Sequence, residues 1–333
     1  WQHPEQCIFE SCRRLGTAEV WLGGGPRLGC FHSGYCSRHQ RRYSGVYRAR
    51  RRGYHTVSCL LSLYGWNHKQ WPHTPAQYIE ENGYYTMDFK NLEQLAKEPR
   101  TKLLVLCNPH NPVGRVWTRE ELTRLMDICL ENQVLVFSDE IHADLIMSGH
   151  KHTAAGLLGE QYLHNLIVAY APSKTFNIAG LGASAIFVPD PEIRNRLQKR
   201  IGANRLPPSN VFGPLAGEVA YRCCDSYVDT LVPYLERNID YVDRFIKEQL
   251  PGIKMRKPEG TYMVWIDLRG LGMTPQQAND LMIEQAKIAI DFGTWFGVGG
   301  DGFVRMNLAS PFSLVEKAMG QMKSAIDSLR AGK

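Results

Sequence analysis

The sequence predicts an α/β protein with a large domain on a mainly parallel sheet and a smaller C-terminal α+β domain. Two apolar runs, Thr101–Cys107 and 134–137, have the length of buried strands. Between them, Thr118 and Glu121 have the spacing of a capping box. The apolar residues that follow repeat as on one buried helical face: Leu122, Leu125, Met126 and Cys129. This strand–helix–strand order implies a parallel pair joined by a right-handed crossover.

Length and composition fit this architecture. The 333 residues are enough for a large domain and a smaller one. No run of about 18 uncharged apolar residues occurs, so we expect no membrane span, and the first residues predict no signal peptide. The nine cysteines form no CxxC pair, which favours a reducing, cytoplasmic compartment.

The basic residues are concentrated at the N-terminus. Residues 1–77 hold 11 of the 39 basic residues and 3 of the 33 acidic ones, a net charge of +8, which leaves −2 for the rest. One hypothesis is a nucleic-acid-binding arm, in which Arg48 and the arginines at 50–52 lie beside Tyr47 and Tyr54. Charge runs are more often solvated segments, so we expect no nucleic-acid partner.

Polar residues follow the ends of the predicted strands. Lys174 comes shortly after a strand at Leu166–Tyr170, and Asp139 follows the strand at 134–137. Ligand sites on open α/β sheets lie at such strand ends. Apolar surroundings lower the pKa of a lysine, as Schiff-base formation requires, although a loop lysine could also reach solvent. A carboxylate at a buried strand end needs a cationic partner, unless it merely caps the next segment.

A metal site is a further hypothesis for this region. Asp139, Glu140 and His142 all have side chains that bind metals. However, no HExxH motif or third well-spaced ligand accompanies them, so we predict no metal. His142 could equally be a structural histidine.

The C-terminal part predicts helices and then short strands. Helical periodicity over 209–250 crosses from a large domain at 78–232 to a small domain at 233–333. Leu231, Tyr234, Leu235 and Ile239 are expected to face inward. Strands are predicted at 183–188, 258–267, 288–291 and 303–309, with a helix beginning at Thr274. Arg305 lies within the last strand, where strand alternation could point it to water.

Several segments in this order resemble one enzyme superfamily from about residue 78 to the C-terminus. They are NPHNPVG at 108–114, SDEIH at 138–142, APSKTFNIAGL at 171–181, PEGTYMVWID at 258–267 and the R-x-N pattern at 305–307. The chain resembles the fold-type-I pyridoxal-phosphate (PLP) enzymes of the class I/II aminotransferase superfamily. The resemblance is strongest to their C–S β-lyase branch, the cystathionine β-lyases of the MalY/PatB kind. It implies the PLP-dependent transferase fold type I and PLP as cofactor.

The resemblance also implies roles for individual residues. Lys174 would carry PLP and serve as the catalytic base, and Asp139, 35 residues earlier, would face the ring nitrogen. Asn111 and His142 would lie near the phenolate oxygen of PLP. Arg305 would bind the substrate's α-carboxylate, and only closure of the small domain would bring it toward Lys174.

The phosphate site is less completely specified by the resemblance. Ser173 is expected to contact the phosphate, but Ala171 stands where the family more often has a hydroxyl residue. The Gly-rich phosphate loop and the aromatic that stacks on the ring belong to the region equivalent to residues 1–77. There Gly23–Gly25, Tyr47 and Tyr64 are the candidates, and none can be assigned.

Residues 1–77 do not match the family, and we interpret them as an atypical basic segment. They contain ten Arg, one Lys and no Asp. Codons compatible with residues 31–39, moved by one base, spell F-I-P-G-I-V-P-G, which resembles the family's segment before the phosphate loop. We therefore interpret the segment as a frameshifted remnant of the N-terminal part of the large domain. Coding DNA with one clean frame near residue 77 would contradict this.

The implied reaction is α,β-elimination of cystathionine or another cysteine S-conjugate to pyruvate, ammonia and a thiol. The implied assembly is a homodimer. An aminotransferase is the first alternative, because it would share Lys174, Asp139, Asn111 and Arg305. A non-catalytic regulatory protein or an inactive truncated product is the second.

Overall fold

The computed structural model describes residues 52–55, 78–203, 210–297 and 299–331. The strands in these ranges are β1 (Arg52–His55), β2 (Tyr78–Glu81), β3 (Tyr84–Met87), β4 (Thr101–Cys107), β5 (Leu135–Asp139), β6 (Leu166–Tyr170), β7 (Ala185–Phe187), β8 (Lys254–Met255), β9 (Met263–Asp267), β10 (Asp291–Phe292) and β11 (Phe303–Asn307). The helices are α1 (Phe89–Ala96), α2 (Arg119–Glu131), α3 (Pro172–Thr175), α4 (Pro191–Ala203), α5 (Phe212–Cys223), α6 (Asp225–Gln249), α7 (Pro275–Asp280) and α8 (Phe312–Ala331). Within these ranges, no helix is both long and apolar enough to cross a bilayer.

The first sheet has the strand order β1-β4-β5-β6-β7. The pairs β1–β4, β4–β5 and β5–β6 are parallel, and β7 runs antiparallel to β6. The predicted strands at β4 and β6 and the parallel pairing of β4 with β5 are confirmed. Strand β1 lies within residues 1–77, the atypical basic segment, where the sequence predicted no particular strand.

Helix α2 packs on this sheet as its sequence pattern predicts. The Thr118 hydroxyl accepts from the backbone N–H of Glu121, and the Glu121 carboxylate accepts from the N–H of Thr118, so the capping box is confirmed. The four apolar residues predicted to share a face are buried: Leu122, Leu125, Met126 and Cys129. Burying such a face stabilises the helix more than its intrinsic propensity does.

The second sheet is antiparallel, with the order β10-β11-β9-β8. Its buried side chains form one core with those of α6 and α8. On α6, Leu235 and Ile239 are fully buried as predicted, whereas Leu231 and Tyr234 are only partly buried. This sheet carries Arg305 on β11.

Two strand predictions in this part are wrong at their first residues. The predicted strand at 258–267 begins only at Met263, and the one at 288–291 is reduced to Asp291–Phe292. Residues 258–261 form a loop that packs on the segments after β4 and β5. There the N–H groups of Glu259 and Gly260 donate to Gly114 O, at 2.8 and 3.0 Å. The N–H of Thr261 donates to Leu145 O at 2.7 Å.

This loop packs so closely on the segment after β4 that a glycine is required where the two segments meet. Gly114 has φ +75°, and a Cβ there would lie 2.3 Å from Cβ of Pro258. The loop and the segment after β4 could not approach this closely with any larger residue at position 114. The loop thus fixes the second sheet against the carboxyl edge of the first.

Candidate functional site

The predicted site residues converge at the carboxyl edge of the first sheet. Strands β4, β5 and β6 are parallel neighbours, so Asn108, Asp139 and the start of α3 lie at the same edge. The N–H of Asn108 donates to Asp139 O at 2.9 Å, and the N–H of Glu140 donates to Ala169 O at 2.8 Å. These bonds tie the three strand ends together, and ligand sites of open α/β sheets lie at such edges.

Lys174 lies in the short helix α3, directly after β6, rather than in an irregular loop. Its side chain is partly buried. Burial lowers the pKa of Lys174, the charge of Asp139 opposes this, and the charge of Arg305 lowers the pKa further. A lowered pKa increases the fraction of neutral amine, which is the form that acts as nucleophile or base.

Asp139 is 6% exposed, and its buried surroundings raise the pKa of its carboxyl group. Burial raises the pKa of Asp139 to about 6, against the opposing effects of the Ile141 N–H and the Lys174 charge. The N–H of Ile141 donates to Oδ1 at 3.3 Å. A carboxylate with a raised pKa at a strand end has a site suited to a cationic group of a ligand.

Replacing Asp139 by asparagine is expected to change how the stability of the ligand-free protein depends on pH. The folded pKa, about 6, exceeds the unfolded value of about 3.9, so the folded wild type binds more protons between these values. The contribution of Asp139 to the free energy of unfolding therefore falls by roughly 3 kcal/mol in total as the pH rises from about 4 to above 6. Asp139→Asn removes this loss and is expected to be more stable than the wild type at neutral pH.

Urea unfolding of wild type and Asp139→Asn across this pH range measures the effect. The exposed Asp240, which pairs with Lys257 at the surface, is a suitable control for an Asp→Asn change. A stability difference between Asp139→Asn and wild type that stays constant over the range would contradict the prediction.

Three buried polar side chains at this edge have atoms without a hydrogen-bond partner in the described part of the chain. They are Oδ1 of Asn108, both ring nitrogens of His142 and Oγ of Ser173. His142 is 2% exposed, and burial, together with the charges of Lys174 and Arg305, lowers its pKa to about 3. Because buried polar atoms are normally paired, these atoms indicate space for a polar ligand.

Asn111 and Arg305 connect the two sheets at the site. Nη1 of Arg305 donates to Oδ1 of Asn111 at 2.9 Å. An arginine can only donate, so the amide oxygen faces it and Nδ2 of Asn111 is left as the donor. In this structure the charge of Arg305 acts on Lys174 and lowers its pKa. That closure of the small domain brings Arg305 toward Lys174 stays a prediction.

Sequence reasoning missed the role of Glu140, which forms a buried network behind the site. Its carboxylate accepts from Ser138 Oγ at 2.8 Å, Ala155 N at 2.9 Å and Tyr170 Oη at 2.5 Å, and Nε2 of His152 lies 2.8 Å away. The network joins the ends of β5 and β6 and so supports Asp139. A fully buried glutamate is recognisable only once its partners are placed.

Some predictions fall outside the described residues. Gly23–Gly25, Tyr47 and Tyr64 lie there, as do residues 31–39 and the Arg48 part of the basic segment. Among the residues that the structure does describe, no group of three or more His, Cys, Asp or Glu side chains could hold a metal.

The comparison with protein families bears directly on this arrangement. Residues 70–320 match the model of the aminotransferase class I and II family. The chain belongs to this family. Its fold neighbours have the same α/β architecture, so the predicted fold class is confirmed.

Individual relatives point to one branch of the family. The chain is 39% identical over 248 residues to cystathionine beta-lyase PatB of Bacillus subtilis and 31% identical over 244 residues to protein MalY of Escherichia coli. These matches cover 74% and 73% of this chain, but only 64% and 62% of the relatives. The chain thus spans less than two thirds of the length of these two proteins.

A solved structure is similar over nearly all of the chain. Cystalysin of Treponema denticola, whose crystal structure contains a pyridoxal 5'-phosphate cofactor, superposes with a TM-score of 0.85 and 32% identity. The match covers 99% of this chain and 89% of cystalysin. The C–S lyase of Staphylococcus hominis superposes with a TM-score of 0.82 at 25% identity.

Proposed function

We propose that this chain is a PLP-dependent C–S β-lyase. It would eliminate a thiol from Cβ of cystathionine or another cysteine S-conjugate, leaving pyruvate and ammonia. The observation that supports this most is the convergence of Lys174, Asp139 and unpartnered polar atoms at one sheet edge. The names of the relatives favour a lyase over an aminotransferase.

The described residues fit the polar groups of PLP. Lys174 would hold the aldehyde carbon through Nζ, and Asp139 would face the ring nitrogen. Asn111, whose amide oxygen is directed to Arg305, would donate from Nδ2 to the phenolate oxygen. The unpartnered atoms of His142 and Ser173 would take the remaining polar contacts, near the phenolate and the phosphate.

Each of these residues has a separate task in the reaction. PLP, when bound, supplies an electron sink for the negative charge that develops at Cα of the substrate. The Lys174 amine, favoured in its neutral form by burial, would take the Cα proton. Asp139, ionised above a pKa of about 6, would keep a proton on the ring nitrogen opposite it. His142 would remain neutral and able to hydrogen-bond at pH 7, because its pKa is about 3.

Turnover with and without a keto acid tests this proposal against the aminotransferase alternative. Purified protein is incubated with cystathionine and PLP, and pyruvate, ammonia and thiol are measured. The proposal expects thiol and pyruvate without any added keto acid. Turnover that requires a keto acid and releases no thiol would favour the aminotransferase.

Absorbance tests the non-catalytic alternative. Protein with PLP bound to Lys174 is expected to absorb at the edge of the visible range. Wild-type protein that stays colourless after PLP is added would favour a regulatory or inactive product.

A homodimer is also proposed, and an exposed apolar stripe at α5 supports it. Val211 is 82% exposed and Phe212 70%, and Leu215 and Val219 are exposed on the same helix. A second copy of the chain would remove this stripe from water. Sedimentation analysis of wild type and Leu215→Glu tests the idea, since a monomeric wild type would contradict it.

A reducing, cytoplasmic location is also proposed. It is supported by four cysteines that are free thiols: Cys107, Cys129, Cys223 and Cys224.

A further inference from the structure

The guanidinium of Arg305 is held on three sides by this chain itself. Nε and Nη2 donate to Oδ2 of Asp291, with the Nε bond at 3.0 Å. Nη1 donates to Asn111, and the ring of Phe296 covers one face, with Cζ 4.8 Å from the ring centroid. The Arg305 side chain is only 11% exposed. Its orientation is therefore set before any substrate arrives.

A single short segment supplies two of these three contacts. Asp291 on β10 lies directly opposite Arg305 on β11 in an antiparallel pair. Side chains of directly opposed residues share one face of a sheet and are close enough to interact. Phe296 ends the 3₁₀ turn Gly293–Phe296 that follows β10 at once. The segment from Asp291 to Phe296 thus forms a cradle for the guanidinium.

The contacts decide which edge of the guanidinium can meet a substrate. A guanidinium can bind a carboxylate bidentately along its Nε–Nη2 edge or along its Nη1–Nη2 edge. Asp291 occupies the first edge. The second edge includes Nη1, which donates to Asn111 at the sheet edge that also carries Lys174.

We propose that Asp291 is a positioning residue for substrate binding. It fixes Arg305 so that the Nη1–Nη2 edge receives the α-carboxylate of the substrate. This inference rests on the proposed function, in which Arg305 binds that carboxylate. The position of Asp291 in the sequence, in a predicted strand of apolar residues, carried no such signal.

Removing Asp291 has two opposing effects on carboxylate binding. It removes a negative charge that repels the substrate, but it also releases two charge-assisted hydrogen bonds that orient Arg305. The repulsion acts across the width of the guanidinium, from a carboxylate that is 34% exposed and therefore partly screened. The hydrogen bonds act at contact distance. Loss of orientation is therefore expected to dominate.

Carboxylate binding by Asp291→Ala tests the proposal without any reaction. The probe is 3-(methylthio)propionate, a thioether carboxylate that has no amine and cannot react with PLP, titrated by ligand-observed NMR. Asp291→Ala is expected to raise its Kd about tenfold, or ~1.4 kcal/mol. Asp291→Asn keeps an acceptor oxygen and is expected to fall between Asp291→Ala and wild type. In turnover of cystathionine, KM is expected to rise similarly, with kcat changed less than about twofold, as for a loss of uniform binding.

Asp267 provides a matched control in the same sheet. It also accepts from Nε and Nη2 of an arginine, Arg269, with Oδ1 at 2.9 Å from Nε and Oδ2 at 2.8 Å from Nη2. This pair lies at the other end of β9 from the segment that packs on the first sheet. Asp267→Ala is expected to leave the probe's Kd and the KM unchanged, which would separate positioning of Arg305 from general loosening of the sheet.

The outcomes decide the proposal in either direction. A probe Kd that is unchanged or lower in Asp291→Ala would overturn it, because Asp291 would then be neutral or a competitor for Arg305. If Asp291→Ala does not fold, Asp291→Asn decides by the same criterion. A wild type that binds the probe but releases no thiol from cystathionine would contradict the proposed function, while the binding comparison would still judge Asp291.

Discussion

Lys174→Ala is expected to abolish thiol release from cystathionine, with a loss of at least about 10⁴-fold in kcat. Alanine removes both the amine that would hold PLP and the base that would take the Cα proton. The same variant is expected to lose the absorption band at the edge of the visible range. Pyruvate production and the absorption spectrum measure these two effects independently.

Two controls make the Lys174 result specific. Lys174→Arg keeps a cation near Asp139 but has no amine of lowered pKa, so it is expected to be as inactive as Lys174→Ala. Lys247→Ala removes an exposed lysine whose i,i+4 pair with Asp243 lies on α6, and it is expected to retain activity. Substantial pyruvate formation by Lys174→Ala would contradict the role proposed for this amine.

Arg115→Met is expected to lower the free energy of unfolding by about 3–5 kcal/mol, as for a buried ion pair that loses one partner. Arg115 is 3% exposed and donates to Glu121 at 2.8 Å, to Glu259 at 3.0 Å and to Tyr85 O at 2.8 Å. Methionine has a similar volume but leaves both carboxylates without their cation. Urea unfolding at neutral pH measures the change.

The surface pair of Arg124 and Glu93 is a matched control for Arg115. Arg124 also pairs with a glutamate, at 3.2 Å, and stacks on an aromatic ring, that of Phe89, but its side chain is 58% exposed. Exposed ion pairs contribute about 0–1 kcal/mol, so Arg124→Met is expected to have little effect. Equal losses in the two variants would show that burial of the Arg115 pair does not matter. Adding Glu259→Gln to Arg115→Met is expected to recover part of the loss, because it removes one unpaired charge.

The contacts of Glu259 explain why residues 258–261 form a loop although the residues from Met263 onward form a strand. The Glu259 carboxylate also accepts from the N–H of Val116 at 2.9 Å, and Thr261 has a φ of +71°. The sequence predicted a strand from residue 258, because an apolar run follows directly. Contacts with Gly114 and Arg115, more than 140 residues earlier in the chain, override that local preference.

Sequence patterns over a few neighbouring residues were sufficient to predict much of the first sheet and the polar residues at its carboxyl edge. The capping box of Thr118 and Glu121 and the apolar runs of β4 and β6 depend on neighbours within a few residues, and the structure agrees with them. Lys174 and Asp139 follow such runs, so their common edge could be expected from strand order. Their roles in catalysis remain predictions.

The sequence by itself determined the parallel pairing of β4 with β5, the strand at β6 and the polar residues that follow these strands, because periodicity, caps and turn residues act over short distances along the chain. Only the tertiary structure decided how Arg305 is oriented. Its partners Asp291 and Asn111 lie 14 and 194 residues away along the chain. The contact with Asp291 arises from the antiparallel pairing of β10 with β11, and the contact with Asn111 arises where the second sheet meets the carboxyl edge of the first. No pattern of neighbouring residues encodes either approach.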